Sequence, residues 1–435
     1  MNTPETAIEP HAHLAPTPPM GWNSYTCFGI TVREHEVLAN ARCMAAELAP
    51  FGWEYVVLDG MWYHDTGPLT GEEPWGAEPH PLDDYGRLLP NLRKFPSAAG
   101  GAGLKPLADA IHALGLKFGL HLMRGIPRRA VELNLPILGT SYRAGDIADT
   151  ANPCTWFEGL YGVNMSHPGG QAYYDSVLKL FAEWQIDYLK VDDCGLPSYQ
   201  SAEVEGIFRA VECSGRRIIM SLAASDEKST FHAEHLKRHT HLWRVGVDLH
   251  DEWPQLHKLF DLLPLWMPHT GPDHWVDPDM LPLGVLHLRK MACDESDPHA
   301  SNLTRDEQVT LMTLWCISRA PLMFAGDLTQ LDDWTRSLIT NEEVLAVNQS
   351  SRGNRELFRH HDLRAWVADG EQGRHVAFFN LGDTETITLD VPLSELGASR
   401  CRVRDLWLQK DLGWREEVLA ISVPPRSSSL YTLTT

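Results

Sequence analysis

The chain contains no run of about eighteen apolar residues, the length a helix needs to cross a membrane, so no span is expected. It also lacks any excess of positive charge. Its 37 Lys and Arg stand against 58 Asp and Glu, a net charge of −21. Nucleic acids and anionic membranes are held by basic patches, so neither is an expected partner. A neutral or cationic small molecule suits this balance better. The opening stretch MNTPETAIEPHAHLAPTPP has no basic segment and no apolar core, so it does not read as a secretory signal. A soluble, cytoplasmic protein is the expectation. The eight cysteines show no short-range zinc pattern. In a cytoplasm most of them would be thiols. There is no low-complexity segment and no internal repeat beyond a strand–helix period.

What the sequence has is a core and many indoles. Apolar residues make up 43% of the 435 positions, enough for a packed interior. The 15 Trp admit two readings, core packing or stacking against the C–H faces of a sugar. Short apolar runs ending in polar residues recur: MGWNSY (20–25), YVVLDG (55–60), KFGLHLM (117–123), DYLKVDD (187–193), RIIMSLA (217–223), HLWRVGVD (241–248) and PLMFAGD (321–327). Between them lie amphipathic stretches such as 106–115, 172–185 and 202–215. Strand and helix in alternation mean parallel βαβ units. Seven runs, with one more expected near 262–276, predict a (β/α)8 TIM barrel over residues 18–345. Residues 1–17 read as a Pro-rich, extended lead. The polar segment 61–105 reads as a loop over the barrel mouth. From 346 to 435 the pattern turns to short alternating strands with no good helix, predicting a small antiparallel β-sandwich domain.

In such barrels the site forms at the C-terminal ends of the strands. The polar residues at or beyond those ends are Asp59, His121, Lys190, Asp192, Arg244, Asp248 and Asp279. Converging carboxylates and cations are costly unless they serve a ligand. Two carboxylates facing each other across a pocket support glycoside hydrolysis, one as nucleophile or base and the other as proton donor. Lys190, two residues before Asp192 and on the same face, could keep Asp192 ionised. Asp192 fits the nucleophile and Asp248 the acid. From the residues alone two alternatives stay open. One is a divalent-metal enzyme with Asp59, Asp192 and Asp248 around the ion. The other is a set of purely structural salt bridges.

PTPPMGWNSY, YVVLDGMW, YLKVDDC, WRVGVDL, HWVDPDML, SRAPLMFAGDL and NEEVLAVNQ, in this order, resemble the α-galactosidases of glycoside hydrolase family 27. The resemblance covers about 17–350, and the β tail is similar to that family's second domain. It displaces the metal-enzyme reading and implies a retaining exo-glycosidase with no cofactor and a carbohydrate substrate. Asp192 would be the nucleophile and Asp248 the acid/base, with Asp251 as a rival for the second role. Asp59, Lys190, Arg244, Asp279 and Met280 would bind the sugar, with Tyr25 as a possible stacking face. Cys194 would pair with Cys154. A homo-oligomer fits the family's habit.

The departures from the family pattern fall on the sugar-reading residues. Two adjacent Asp usually close strand 2 and grip the 4- and 6-hydroxyls, whereas here Asp59 is followed by Gly60. Tyr25 stands where a Trp is common, and His121 replaces a strand-3 Tyr. Strand 5 ends in Ser221, Leu222, Ala223 and Ala224, without the acidic residue that reads the 2-hydroxyl. His121, His64, Asp65, Arg124 and Trp62 are candidate replacement contacts. Galactose is the leading sugar. β-L-Arabinopyranosidase, α-N-acetylgalactosaminidase and isomaltose-releasing dextranase specificities are alternatives, and a non-catalytic sugar-binding protein is the reading from another class.

Overall fold

The computed structural model describes residues 13–64, 80–154, 159–195, 198–223, 229–289 and 297–435. Eight parallel strands form the central sheet: β1 (Met20–Asn23), β2 (Tyr55–Leu58), β3 (Lys117–Met123), β4 (Tyr188–Asp192), β5 (Ile219–Leu222), β6 (Leu242–Arg244), β7 (Trp275–Asp277) and β8 (Leu322–Phe324). They run in chain order around the sheet, and β1 pairs with β8 as well as with β2. Leu281 closes the ring by a parallel bridge to Phe324. Its amide donates to the Met323 carbonyl at 2.7 Å, and its own carbonyl accepts from Ala325 at 3.0 Å.

The strands are short and buried on both faces, and side chains alternate across them. Tyr55, Val57, Tyr188, Ile219, Leu242, Trp275 and Met323 fill the barrel interior. Val56, Leu58, Leu189, Val191, Met220, Trp243 and Val276 point outward into the layer shared with the helices. Gly21 is required by a close approach, since a Cβ there would lie 2.3 Å from the Tyr55 carbonyl oxygen. Ala15, in the described part of the lead, joins the interior layer. Its carbonyl accepts from the Trp275 indole at 2.8 Å and its amide donates to Asp273 at 2.7 Å.

The main helices are α1 (Glu34–Cys43), α2 (Lys105–His112), α3 (Pro168–Glu183), α4 (Ser201–Cys213), α5 (Ala233–His239), α6 (Trp253–Trp266), α7 (Arg305–Ile317), α8 (Asp333–Ile339) and α9 (Glu342–Ser350). The strand expected near 262–276 occupies only the end of that window. Residues up to Trp266 continue α6 because Leu256, Leu259, Phe260, Leu263 and Trp266 recur every three to four positions and are buried along one face.

The C-terminal strands are β9 (Arg352–His360), β10 (Leu363–Gly370), β11 (Gly373–Asn380), β12 (Ile387–Pro392), β13 (Arg400–Asp405), β14 (Lys410–Glu416), β15 (Val418–Val423) and β16 (Ser428–Thr434). Six form an antiparallel sheet in the order β9-β10-β11-β16-β13-β14, and β12 pairs with β15. One face of the large sheet packs on the smaller one through Leu363, Val367, Val376 and Phe378. The other face, with Trp366, Ala377, Phe379 and Leu430, joins the barrel core. Thr313 of α7 fixes the contact, accepting from the Trp407 indole at 2.8 Å.

Candidate active site

Lys190 and Asp192 stand two apart on β4 and point into the mouth, while Leu189 and Val191 between them belong to the outer layer. The register sets His121 of β3 beside Lys190, and Met123 beside Asp192. Around this strand the barrel ends converge. Lys190 Nζ lies 2.8 Å from Asp59 Oδ2, which also accepts from Asn23 Nδ2 at 2.7 Å. The other Asp59 oxygen accepts from the Gly60 amide at 2.7 Å. The ammonium bonds Asp59 directly and helps keep Asp192 ionised through its field. Tyr25 flanks this pair, its ring centre 5.9 Å from Lys190 Nζ.

Asp192 receives two contacts of its own. His121 Nε2 lies 3.4 Å from Oδ2, and the Asp193 amide donates to Oδ1 at 2.8 Å. Burial pushes the Asp192 carboxyl up, but the His121 contact and the charges of Lys190 and Arg244 outweigh it, and the group sits well below the usual carboxylate range. Asp59 is lowered too: burial opposes the charge, and Lys190 and His121 overcome it. Both carboxylates are anionic at neutral pH.

Across the mouth, Arg244 Nη1 lies 2.7 Å from Asp248 Oδ1 and 3.7 Å from Asp279 Oδ1. Asp248 is the open member of the set, with 61% of its side chain exposed against 17% for Asp192. Asp279 adopts φ +95°, an uncommon conformation for a residue with a Cβ. In that conformation its Oδ2 accepts the Leu249 amide at 2.7 Å, tying down the loop next to Asp248. Its own amide donates to Asp277 Oδ1 at 2.8 Å. Burial and the adjacent Asp279 push the Asp277 carboxyl up to about 6. Asn23, Lys190, Arg244, Asp277, Asp279 and Met280 line the small cavity at the base of the mouth, with Ser221 and Ala223. Sequence reasoning missed Asn23 and Asp277. The same strand-end rule, applied to β1 and β7, finds both.

Three expectations are corrected by burial. Trp62 is wholly buried and makes edge contacts with Tyr63, Phe181 and Trp184. Its indole donates to the His121 carbonyl at 2.9 Å, so it supports β3 beneath His121 and is withdrawn as a sugar contact. Arg124 is equally buried, with Nε 2.9 Å from Asp193 Oδ2 and Nη1 2.8 Å from Glu203 Oε1. This pair holds Asp193 at φ +63°, the turn that aims the Asp193 amide at Asp192. Asp251 is buried, and its Oδ2 is taken by His299 at 3.0 Å and the Asn302 amide at 2.6 Å. It clasps a loop, whereas Asp248 is exposed beside Arg244. His64 is buried beside His80, ring centres 5.3 Å apart. Asp65 and Ala224 lie outside the described residues. Cys154 and Cys194 are both thiols, so the pairing the family resemblance implied is not formed. Among the described residues, Asp59, Asp192 and Asp248 do not gather as a metal-ligand group.

The altered positions meet in space. A Cβ added at Gly60 would lie 3.5 Å from Cε1 of His121, so the imidazole borders the space into which a side chain at 60 would project.

Residues 360–433 match a domain described as the α-galactosidase C-terminal β sandwich, and residues 159–350 match one described as α-galactosidase A. The second match begins beyond β3, so Gly60 and His121 lie outside it. A β-L-arabinopyranosidase of glycoside hydrolase family 27 from Geobacillus stearothermophilus is 43% identical over 97% of both chains, with a TM-score of 0.93. The chain belongs to glycoside hydrolase family 27. Within it, α-galactosidases of Coffea arabica and Cyamopsis tetragonoloba are 28% and 26% identical over 97% of this chain, covering 94% and 87% of their own lengths. As a family 27 member the protein is a glycosidase, and its substrate is a carbohydrate. No described helix is long and apolar enough to cross a membrane.

Proposed function

We propose that this glycosidase is a retaining exo-enzyme that removes terminal β-L-arabinopyranosyl residues from small glycosides. β-L-Arabinopyranose carries the ring hydroxyls of α-D-galactopyranose without the exocyclic hydroxymethyl group. The observation that carries the proposal is the His121 ring beside the empty side-chain position of Gly60. Where the family resemblance implies a second carboxylate for the 6-hydroxyl, this chain has no side chain, and an imidazole borders the space. The Asp59–Lys190–Asn23 cluster, which suits the ring hydroxyls common to both sugars, is kept. The arabinopyranosidase activity named for the 43%-identical relative supports the same reading.

Asp192, anionic and aimed by the Asp193 amide, attacks the anomeric carbon and expels the leaving oxygen. Asp248, open to solvent on the Arg244 side, protonates that oxygen. A water deprotonated by Asp248 then attacks the same carbon and releases the sugar with retained configuration. Arg244 follows the charge that moves between the two carboxylates. Lys190 and Asp59 hold the ring, and Met280 forms part of the wall.

α-D-Galactosides are the second substrate, since they differ only at C5. Their 6-hydroxyl would be buried against His121 without a carboxylate partner. An unmet buried hydroxyl costs about 1–3 kcal/mol, roughly a 5- to 150-fold loss in kcat/KM. The test compares kcat/KM on 4-nitrophenyl β-L-arabinopyranoside and α-D-galactopyranoside. A ratio well above one supports the proposal. Equal or better use of the galactoside would overturn it and restore the α-galactosidase reading.

A further inference from the structure

Outside the barrel mouth, α4 and α5 bring together three groups with the chemistry of a transition-metal site. His235 and His239 are four residues apart on α5 and so share one face of the helix. Glu205, on α4, faces them, and one ligand atom from each of the three lies within 4.8 Å of the others. The remaining ring nitrogens are already held. His239 Nδ1 is 2.9 Å from the His235 carbonyl, which can only accept, so this nitrogen carries the proton and Nε2 keeps its lone pair. His235 uses Nδ1 on the Tyr199 hydroxyl at 2.8 Å and points Nε2 at Glu205 Oε1, 3.0 Å away. One nitrogen directed inward and the other held by an oxygen is the arrangement that orients imidazoles on a metal ion.

We propose that Glu205, His235 and His239 bind a divalent transition-metal ion, zinc foremost, as a staple between α4 and α5. Two imidazoles and a carboxylate make a zinc-type ligand set, and water completes the tetrahedron. Binding replaces the His235–Glu205 hydrogen bond with two coordinate bonds, at about 2.0–2.1 Å for nitrogen, and the proton leaves His235 Nε2 for solvent while Nδ1 takes one up and donates it to the Tyr199 oxygen, so that the imidazole stays neutral. Side-chain rotation supplies the closure, since Glu205 is exposed and both imidazoles are partly exposed. The staple also reaches the proposed nucleophile's strand. Tyr199 leans on His235, and the next residue, Gln200, donates its amide to the Cys194 carbonyl at 2.9 Å, just beyond β4. The second His-rich group, Asp251–His287–His299, is the weaker candidate because the Asp251 oxygen is committed to His299 and the Asn302 amide.

The test is calorimetric titration of untagged, chelator-stripped enzyme with zinc chloride, alongside thermal melts. The expected result is one saturable site, weakened roughly tenfold or more by Glu205→Gln and by His239→Ala. Zinc should raise Tm in the native chain and fail to do so in the variants, and magnesium should have no effect. Turnover without metal should be unchanged in both variants. The two variants check one another, since Glu205→Gln keeps both imidazoles and the shape of the helix surface. Absence of saturable zinc binding would overturn the proposal. So would binding that survives the His235→Ala/His239→Ala double variant, which would move the ion to Asp251–His287–His299 or to a thiol.

Discussion

Returning a carboxylate to position 60 is the most informative perturbation of the proposed sugar site. Gly60 is absent from the positive-φ residues, so an L side chain meets no backbone strain there. Its Cβ would find His121 ring atoms at 3.5–3.7 Å, an ordinary contact. Gly60→Asp should therefore fold, with its carboxylate beside His121 and close to Asp59. On the proposed geometry it gives the 6-hydroxyl of a galactoside an ionised acceptor. A hydrogen bond to a charged group contributes about 1.5–3 kcal/mol. Burying a third carboxylate near Asp59 and Asp192 offsets part of this. A net gain of about 1–2 kcal/mol corresponds to a 5- to 30-fold shift in preference. The arabinoside has no group to use the new acceptor, so its kcat/KM should stay level or fall. The assay is the ratio of kcat/KM values for the two nitrophenyl glycosides, in native and Gly60→Asp enzyme of matched Tm. A ratio unchanged within twofold would refute the assignment of position 60 to the C6 region.

The remaining predictions concern the support of the site. Asp277 binds its proton more tightly folded than unfolded, about 6 against the usual carboxylate value, so its contribution to stability falls as pH rises from about 4 to 6 and is then constant. Asp277→Asn should thus gain stability relative to the native chain between pH 4 and pH 7, by up to about 3 kcal/mol, as read by urea unfolding; a gain that shrinks with rising pH would contradict the sign. Asp192 runs the other way, because its folded pKa is depressed: its stabilising share is present above the unfolded value and fades as the pH falls below about 4. Arg124→Met leaves Asp193 and Glu203 buried without their cation and should cost about 3–5 kcal/mol, together with kcat if the Asp193 turn aims Asp192; normal stability would show that the pair is dispensable. Trp62→Phe should lower Tm with little change in KM, since the indole lies beneath His121; a large KM effect with native Tm would return Trp62 to the sugar.

The barrel was legible because its signal is local. A strand buried on both faces reads as a short apolar run, and the polar residue that ends it must face the mouth, which yields Asp59, His121, Lys190, Asp192 and Arg244. Partner choice was not legible. Lys190 stands equally close in sequence logic to Asp192 and to its other neighbours, and only the sheet order, with β2 and β4 on either side of β3, brings Asp59 to 2.8 Å. Trp62 and Arg124 were misjudged for one reason. Both follow strand ends, where side chains beyond the last paired residue turn inward or outward with the loop, and no periodicity governs that choice. Asp251 and Asp248 are likewise indistinguishable by alternation. They part only when His299 and Asn302, some fifty residues later, claim one of them. The His121 ring beside the empty side-chain position of Gly60 joins two departures that look independent in the chain.

On the proposed mechanism Asp192 forms a covalent bond to an arabinopyranosyl unit. The direct measurement is intact-protein mass spectrometry, followed by peptide mapping, after incubation with a 2-deoxy-2-fluoro-β-L-arabinopyranosyl fluoride. One fluoroarabinosyl group per chain is expected, attached to Asp192 and lost from Asp192→Asn. A label on Asp248 or Asp251, or time-dependent inactivation that persists in Asp192→Asn, would contradict it.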